Sequence, residues 1–118
     1  MLMIDLVDEE TIQQMIEDTS AEVMPMLIDE YIEETQQRVQ NIKHAFSQQD
    51  YEVLEFESHA LSSSALALGN RALSLLARKI EHLCLDAKQE AALSYHEEFV
   101  LLASSSLEAI INRKSQGF

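Results

Sequence analysis

An all-α fold, an antiparallel four-helix bundle with a short N-terminal capping helix, is what three observations predict for this chain. Its 118 residues hold two glycines and one proline, too few turn formers for a many-stranded sheet. Leu, Ala, Glu and Gln are abundant, and these side chains lose little freedom on entering a helix. Apolar residues recur three and four positions apart in one segment after another, the spacing that gathers them on one helical face. A chain of this length buries one core, so residues 1–118 are expected to form a single domain.

The elements follow in order. Glu9 to Glu17, with Ile12, Met15 and Ile16 turned inward, reads as the capping helix, ended by Asp18-Thr19-Ser20. Proline is tolerated only in the first turn, so a long second helix starts near Pro25 and carries the stripe Leu27, Tyr31, Thr35, Val39, Ile42 and Phe46. Ser47 to Asp50 interrupts the pattern, and Asp50 is a good N-cap for a third helix with the stripe Leu54, Leu61, Ala65 and Leu68. Gly69-Asn70 supplies a C-cap and a tight turn. Leu73, Leu76, Ala77, Ile80 and Cys84 mark the fourth helix; Asp86 to Gln89 is the last polar break; Leu93, Phe99, Val100, Ala103, Leu107 and Ile111 run along the last helix. Four amphipathic helices joined by short connections hide their stripes together in an antiparallel bundle.

Charge excludes some partners. The net charge of -13, with acid concentrated in Asp5 to Asp18 and Asp29 to Glu34, opposes binding to a phosphate backbone, so no nucleic acid is expected. The single cysteine, Cys84, lies among Ile80, Leu83 and Leu85, reads as an inert core residue, and fits a reducing compartment. No stretch approaches the ~20 apolar residues of a membrane span, and no secretory signal opens the chain, so a cytoplasmic protein without a membrane partner is expected. The high charge and the lack of a spare apolar stripe favour a monomer.

Chemistry is signalled at one place. The run Ser58 to Gly69 sets His59 on a helix amid small residues. At 3.6 residues per turn His59 falls about 140° from Leu54, on an outer stripe with Glu52, Glu55, Ser62, Ser63 and Leu66. His44 and His82 also fall on outer faces and His96 on the apolar stripe of the last helix; what separates His59 from them is the small serine cluster that leaves its ring uncrowded. No histidine pair has i, i+4 spacing and Cys84 has no partner, so no metal is expected. A Gly-rich phosphate loop and a GxSxG elbow are both missing, which leaves the chain without an ATP site or a serine hydrolase motif.

These residues resemble the histidine-containing phosphotransfer (HPt) domain family, whose His-x-Leu-Lys-Gly-Ser/Ala run and following apolar-Gly pair are met here by His59, Leu61, Ser64, Leu68 and Gly69. The likeness extends over nearly the whole chain and is greatest to stand-alone bacterial phosphorelay proteins of the quorum-sensing phosphotransferase (LuxU) type. It implies a phosphocarrier rather than an autonomous kinase: His59 accepts a phosphoryl group from the receiver domain of a hybrid sensor kinase and passes it to the receiver of a response regulator. It implies no cofactor of the chain's own, the Mg²⁺ sitting on the partner receiver. Glu81 is implied to orient the ring through Nδ1, and Phe56, Ala60, Ser63, Leu66 and Arg78 to form the partner surface, although the intermediate angle of Phe56 favours the core, where aromatic side chains at helical spacing usually pack. Two positions depart from the pattern: Ser62 stands where the family usually has lysine, and Ser63 where it commonly has glycine. A hydroxyl brings no charge to a phosphoryl group, so Arg78 or Lys79 on the next helix is a candidate replacement, and a receiver-binding adaptor without phosphotransfer is the alternative function.

Overall fold

The computed structural model describes residues 6–118; Asp5, which opens the first acidic run, lies outside them. Six α-helices follow one another: α1 (Glu9–Asp18), α2 (Met24–Gln48), α3 (Tyr51–Ala67), α4 (Arg71–Leu85), α5 (Gln89–Leu93) and α6 (His96–Ser115), with a 3-10 turn at Ala21–Val23 before α2. Helices α2, α3, α4 and α6 pack in a closed ring, each against the next, as the four-helix reading expected. No strand occurs among the described residues, and no helix is long and apolar enough to cross a membrane.

The punctuation works as the residue types dictate. Pro25 sits in the first turn of α2, where its missing N–H is no loss. The Asp50 carboxylate accepts the Val53 N–H at 3.2 Å and caps α3. Gly69 takes φ +86°, and a Cβ there would stand 3.2 Å from the Asp8 carbonyl oxygen, so both its conformation and the close approach of the N-terminal segment call for glycine.

Several stripe assignments shift. In α2 the buried row is Met24, Ile28, Tyr31, Thr35, Ile42, Ala45 and Phe46, while Leu27 and Val39 are half-buried beside it. The last stripe is broken: the chain turns at Ser94 and Tyr95, so Leu93 ends the short α5 and His96 opens α6. Along α6 the inward row is Phe99, Ala103, Ser106, Ala109 and Ile110, which leaves Ile111, expected inside, exposed. Leu85, one of the apolar neighbours on which the core reading of Cys84 rests, is exposed, because it is the last residue of α4 and points away from the bundle. Cys84 is half-buried against the core, and burial pushes its thiol up, which keeps it in the unreactive protonated form.

Asn70 departs furthest from its sequence reading. It is fully buried: its Oδ1 accepts the Tyr31 hydroxyl at 2.7 Å, and its Nδ2 donates to the carbonyls of Leu6 at 2.9 Å and Ser106 at 3.2 Å. One amide thereby joins α2, α6 and the N-terminal segment to the α3–α4 turn. Burial pushes the Tyr31 phenol far above its usual range, so it remains the donor. The α1 cap is held over the same end of the bundle by Ile12 in the core, by the Asp8 N–H donating to the Gly69 carbonyl at 2.8 Å, and by Arg113, whose Nε and Nη2 donate to the Glu9 carboxylate at 2.7 and 3.0 Å.

Replacing Asn70 by Ala strips partners from two buried carbonyls and a buried hydroxyl. Urea unfolding should show a loss of roughly 2–3 kcal/mol, against a few tenths for an exposed position such as Gln37→Ala.

Candidate functional site

Helices α3 and α4 form a hairpin whose register is set by two side-chain links. The Ser74 hydroxyl donates to the Ser62 carbonyl at 2.7 Å, and the His59 Nδ1 lies 2.7 Å from the Glu81 Oε2. Numbers fall along α4 as they rise along α3, so the two helices are antiparallel. Residue 59 lies mid-way along α3, where helical hydrogen bonding on both sides holds its backbone rigidly.

The buried face of α3 is broad. Leu54, Glu57, Ser58, Leu61, Ser62 and Ala65 are all covered, because the helix packs against α2 on one flank and α4 on the other. What remains outside is a narrow strip carrying Glu52, Phe56, His59, Ser63 and Leu66. The His59 side chain is 67% exposed, whereas that of Glu81 is 13% exposed in the seam between the helices. A carboxylate can only accept, so Nδ1 donates to it; in the neutral ring that leaves the Nε2 lone pair free and aimed at solvent.

Ser62 does not stand on the outer stripe where the wheel placed it. It is buried at the α4 flank, and its hydroxyl donates back to the His59 carbonyl at 2.8 Å. The breadth of the α3 contact with α4 draws this position inward, and its hydroxyl is committed to the helix backbone. Ser63 is exposed beside His59 and donates to the same carbonyl at 3.3 Å. Phe56 is 66% exposed, which corrects the core placement its angle favoured; Leu66 is exposed as well, while Ala60 is half-buried. Arg78 is exposed on α4, three residues before Glu81. Lys79 is drawn the other way, its ammonium 4.9 Å from the centre of the Tyr95 ring. Hydrogen bonding to Tyr95 raises its pKa and keeps it charged there.

Sequence reasoning missed Leu75 and Leu85, and with them exposed apolar surface that it took to be lacking. Phe56, His59, Ser63 and Leu66 follow at helical spacing along α3, and Leu75, Arg78, His82 and Leu85 at the same spacing along α4. The antiparallel register brings Phe56 toward Leu85 and Leu66 toward Leu75, so four exposed apolar side chains frame the space around His59 and Arg78. The signal that could have found them is the i, i+3, i+7, i+10 repeat in α4 lying outside the core stripe. An open groove beside His59 is lined by Glu52, Val53, Glu55, Phe56, Glu57 and Glu81.

The other histidines lack this setting. His44 and His82 are exposed without a ring partner among the described residues, and His96 stacks on Phe46 with centroids 4.6 Å apart and planes at 10°. Among the described residues no three His, Cys, Asp or Glu side chains converge as a metal-binding group.

The family model described as Hpt domain matches residues 26–113. No curated protein sequence matches the chain. Among solved structures, histidine-containing phosphotransfer protein B (HptB) from Pseudomonas aeruginosa PAO1 superposes with a TM-score of 0.85 over 96% of this chain and 97% of that one, at 13% sequence identity, a likeness of fold.

The Glu81 contact makes a spectroscopic prediction. In ¹⁵N NMR of the neutral ring, His59 should be held as the Nδ1–H tautomer, and Glu81→Ala should release it to the tautomer mixture of a solvated imidazole. An unchanged pattern in the variant would show that the carboxylate does not orient the ring.

Proposed function

The chain belongs to the Hpt domain family, and on that premise we propose that it is a phosphorelay intermediate. It takes a phosphoryl group on His59 from a receiver-domain aspartate of a hybrid sensor kinase and gives it to the aspartate of a response-regulator receiver. The observation that carries this reading is the exposed His59 ring with Nδ1 held by Glu81 at 2.7 Å and Nε2 free.

The chemistry follows from that arrangement. The Nε2 lone pair forms a bond to phosphorus as the phosphorus–oxygen bond of the phosphoaspartate breaks, and that bond pair leaves with the aspartate carboxylate. The ring keeps its Nδ1 proton, and the positive charge it gains lies against the Glu81 carboxylate. In the second transfer the acceptor carboxylate attacks phosphorus and the nitrogen–phosphorus bond pair returns to Nε2. Glu81 acts through the ring and is a positioning residue. On this reading Mg²⁺ belongs to the acidic pocket of the receiver, and the chain carries no cofactor.

The partner surface we assign is the strip of Phe56, Ser63 and Leu66, with Ala60 at its edge and Arg78 across the seam. Exposed apolar side chains of this kind are what a transient interface covers and then releases. The run from Ser58 to Ser64 supports the narrower reading of a quorum-sensing protein of the LuxU type, and the lone Cys84 and the charge of -13 support a cytoplasmic monomer.

One observation favours a second reading. With Ser62 buried, the position of the family's lysine contributes no charge at the ring, as suits an adaptor that binds receivers without accepting phosphate.

Incubation with a ³²P-phosphorylated receiver separates the two. The phosphocarrier reading expects acid-labile, base-stable label on the wild-type chain and none on His59→Gln; receiver binding without label on either would establish the adaptor. Phe56→Ala should weaken receiver association by about tenfold in a titration, as loss of an exposed aromatic anchor does.

A further inference from the structure

The phosphoryl group that His59 would carry brings close to two negative charges into a setting that is already acidic. Glu81 lies against the ring, and Glu52, Glu55 and Glu57 line the groove beside it. Phosphoryl transfer depends on positive charge placed at the equatorial oxygens, and the Ser62 hydroxyl is turned to the His59 carbonyl.

The eight Lys and Arg residues can be sorted by position. Arg38 is held by Glu57 at 3.0 Å and Glu34 at 3.1 Å. Lys43 is five residues from Arg38, about 140° around α2 from the side that meets α3. Arg71 opens α4 near Asp8, ten residues and about 15 Å along the helix from Glu81. Lys88 follows the end of α4, about two turns beyond Glu81. Lys79 lies over Tyr95, and Arg113 and Lys114 are bound to Glu9 and Asp29.

Arg78 remains. It is exposed and has no ion pair or hydrogen bond among the described residues. The two links that set the hairpin register bracket it: Ser62 to Ser74 on one side and His59 to Glu81 on the other. On α4 it therefore lies level with the turn that follows His59, one helical turn from Glu81 and on the same flank. Ser63, on the same outer strip of α3 as His59, is exposed and small.

Resting on the phosphocarrier reading, we propose that Arg78 supplies from the neighbouring helix the cation that this chain lacks at Ser62, its guanidinium donating to the phosphoryl oxygens as the bond to Nε2 forms. Arginine suits the role because its planar fork binds phosphate through two hydrogen bonds and keeps its charge at any physiological pH.

Phosphoramidate tests this without a protein donor. Nε2 attacks its phosphorus, the phosphorus–nitrogen bond breaks, and ammonia leaves after taking up a proton from water. Wild type, Arg78→Ala and Arg78→Lys are labelled at equal phosphoramidate concentration, and phosphohistidine is followed by ³¹P NMR. The expected result is labelling about tenfold slower in Arg78→Ala and largely restored in Arg78→Lys, with a parallel loss when a phosphorylated receiver is the donor. Equal phosphoramidate rates in wild type and Arg78→Ala would overturn the proposal, and a loss seen only with the receiver would reassign Arg78 to docking. Failure of the wild type itself to take label would instead remove the phosphocarrier reading, and this inference with it.

Discussion

The buried amide of Asn70 is the constraint from which the site is built. Asparagine is a favoured N-cap, and position 70 precedes α4, yet the side chain makes no capping bond and turns into the core. There it joins Tyr31, Leu6 and Ser106, one from each structural unit that surrounds the α3–α4 turn. A buried amide with three polar partners tolerates little displacement, because each misplaced group would be left without a hydrogen bond in a place water does not reach. The start of α4 is fixed relative to the end of α3, and from that point the rise per residue alone brings Glu81 opposite His59.

The pair that results divides its labour by burial. Glu81 sits in the seam, where neighbouring side chains limit its rotamers, and His59 stands outside it. A reactive group at a surface is ordinarily mobile; here the rigid helix and the sheltered carboxylate hold it. The same seam explains the fate of Ser62, which is drawn inward by the breadth of contact that keeps Glu81 in place. Position 62 is thus a packing residue in this chain and brings no charge to the ring.

Charge and apolar surface meet on this face. The chain is strongly acidic, and carboxylates reach to the edge of the ring, yet four large apolar side chains frame it. An apolar frame gives a partner contact area, and the surrounding acid discourages nucleic acids and acidic proteins from occupying the same place.

Much of the fold was legible because local rules decide it. Helical spacing, Pro25, Asp50 and Gly69 set the elements and their ends, and the outward angle of His59 followed from 3.6 residues per turn. The choice of Glu81 came through family resemblance, and the contact itself lies across 22 residues of sequence. Where the reading failed, a second neighbour was responsible. Ser62 is buried because α3 touches two helices at once; Phe56 is exposed because neither neighbour extends over it; Ile111 lies outside because steps of four residues drift about 40° each around α6, so the inward row runs through Ser106 and Ile110 instead. Asn70, with the composition of a surface turn, is buried by partners drawn from distant parts of the chain. The sequence by itself determined which segments are helical and that the His59 ring stands outside, since both depend on residues within a few positions of one another. Only the tertiary structure decided which side chains surround that ring, because burial, register and the contact of Glu81 with it depend on how separate helices pack.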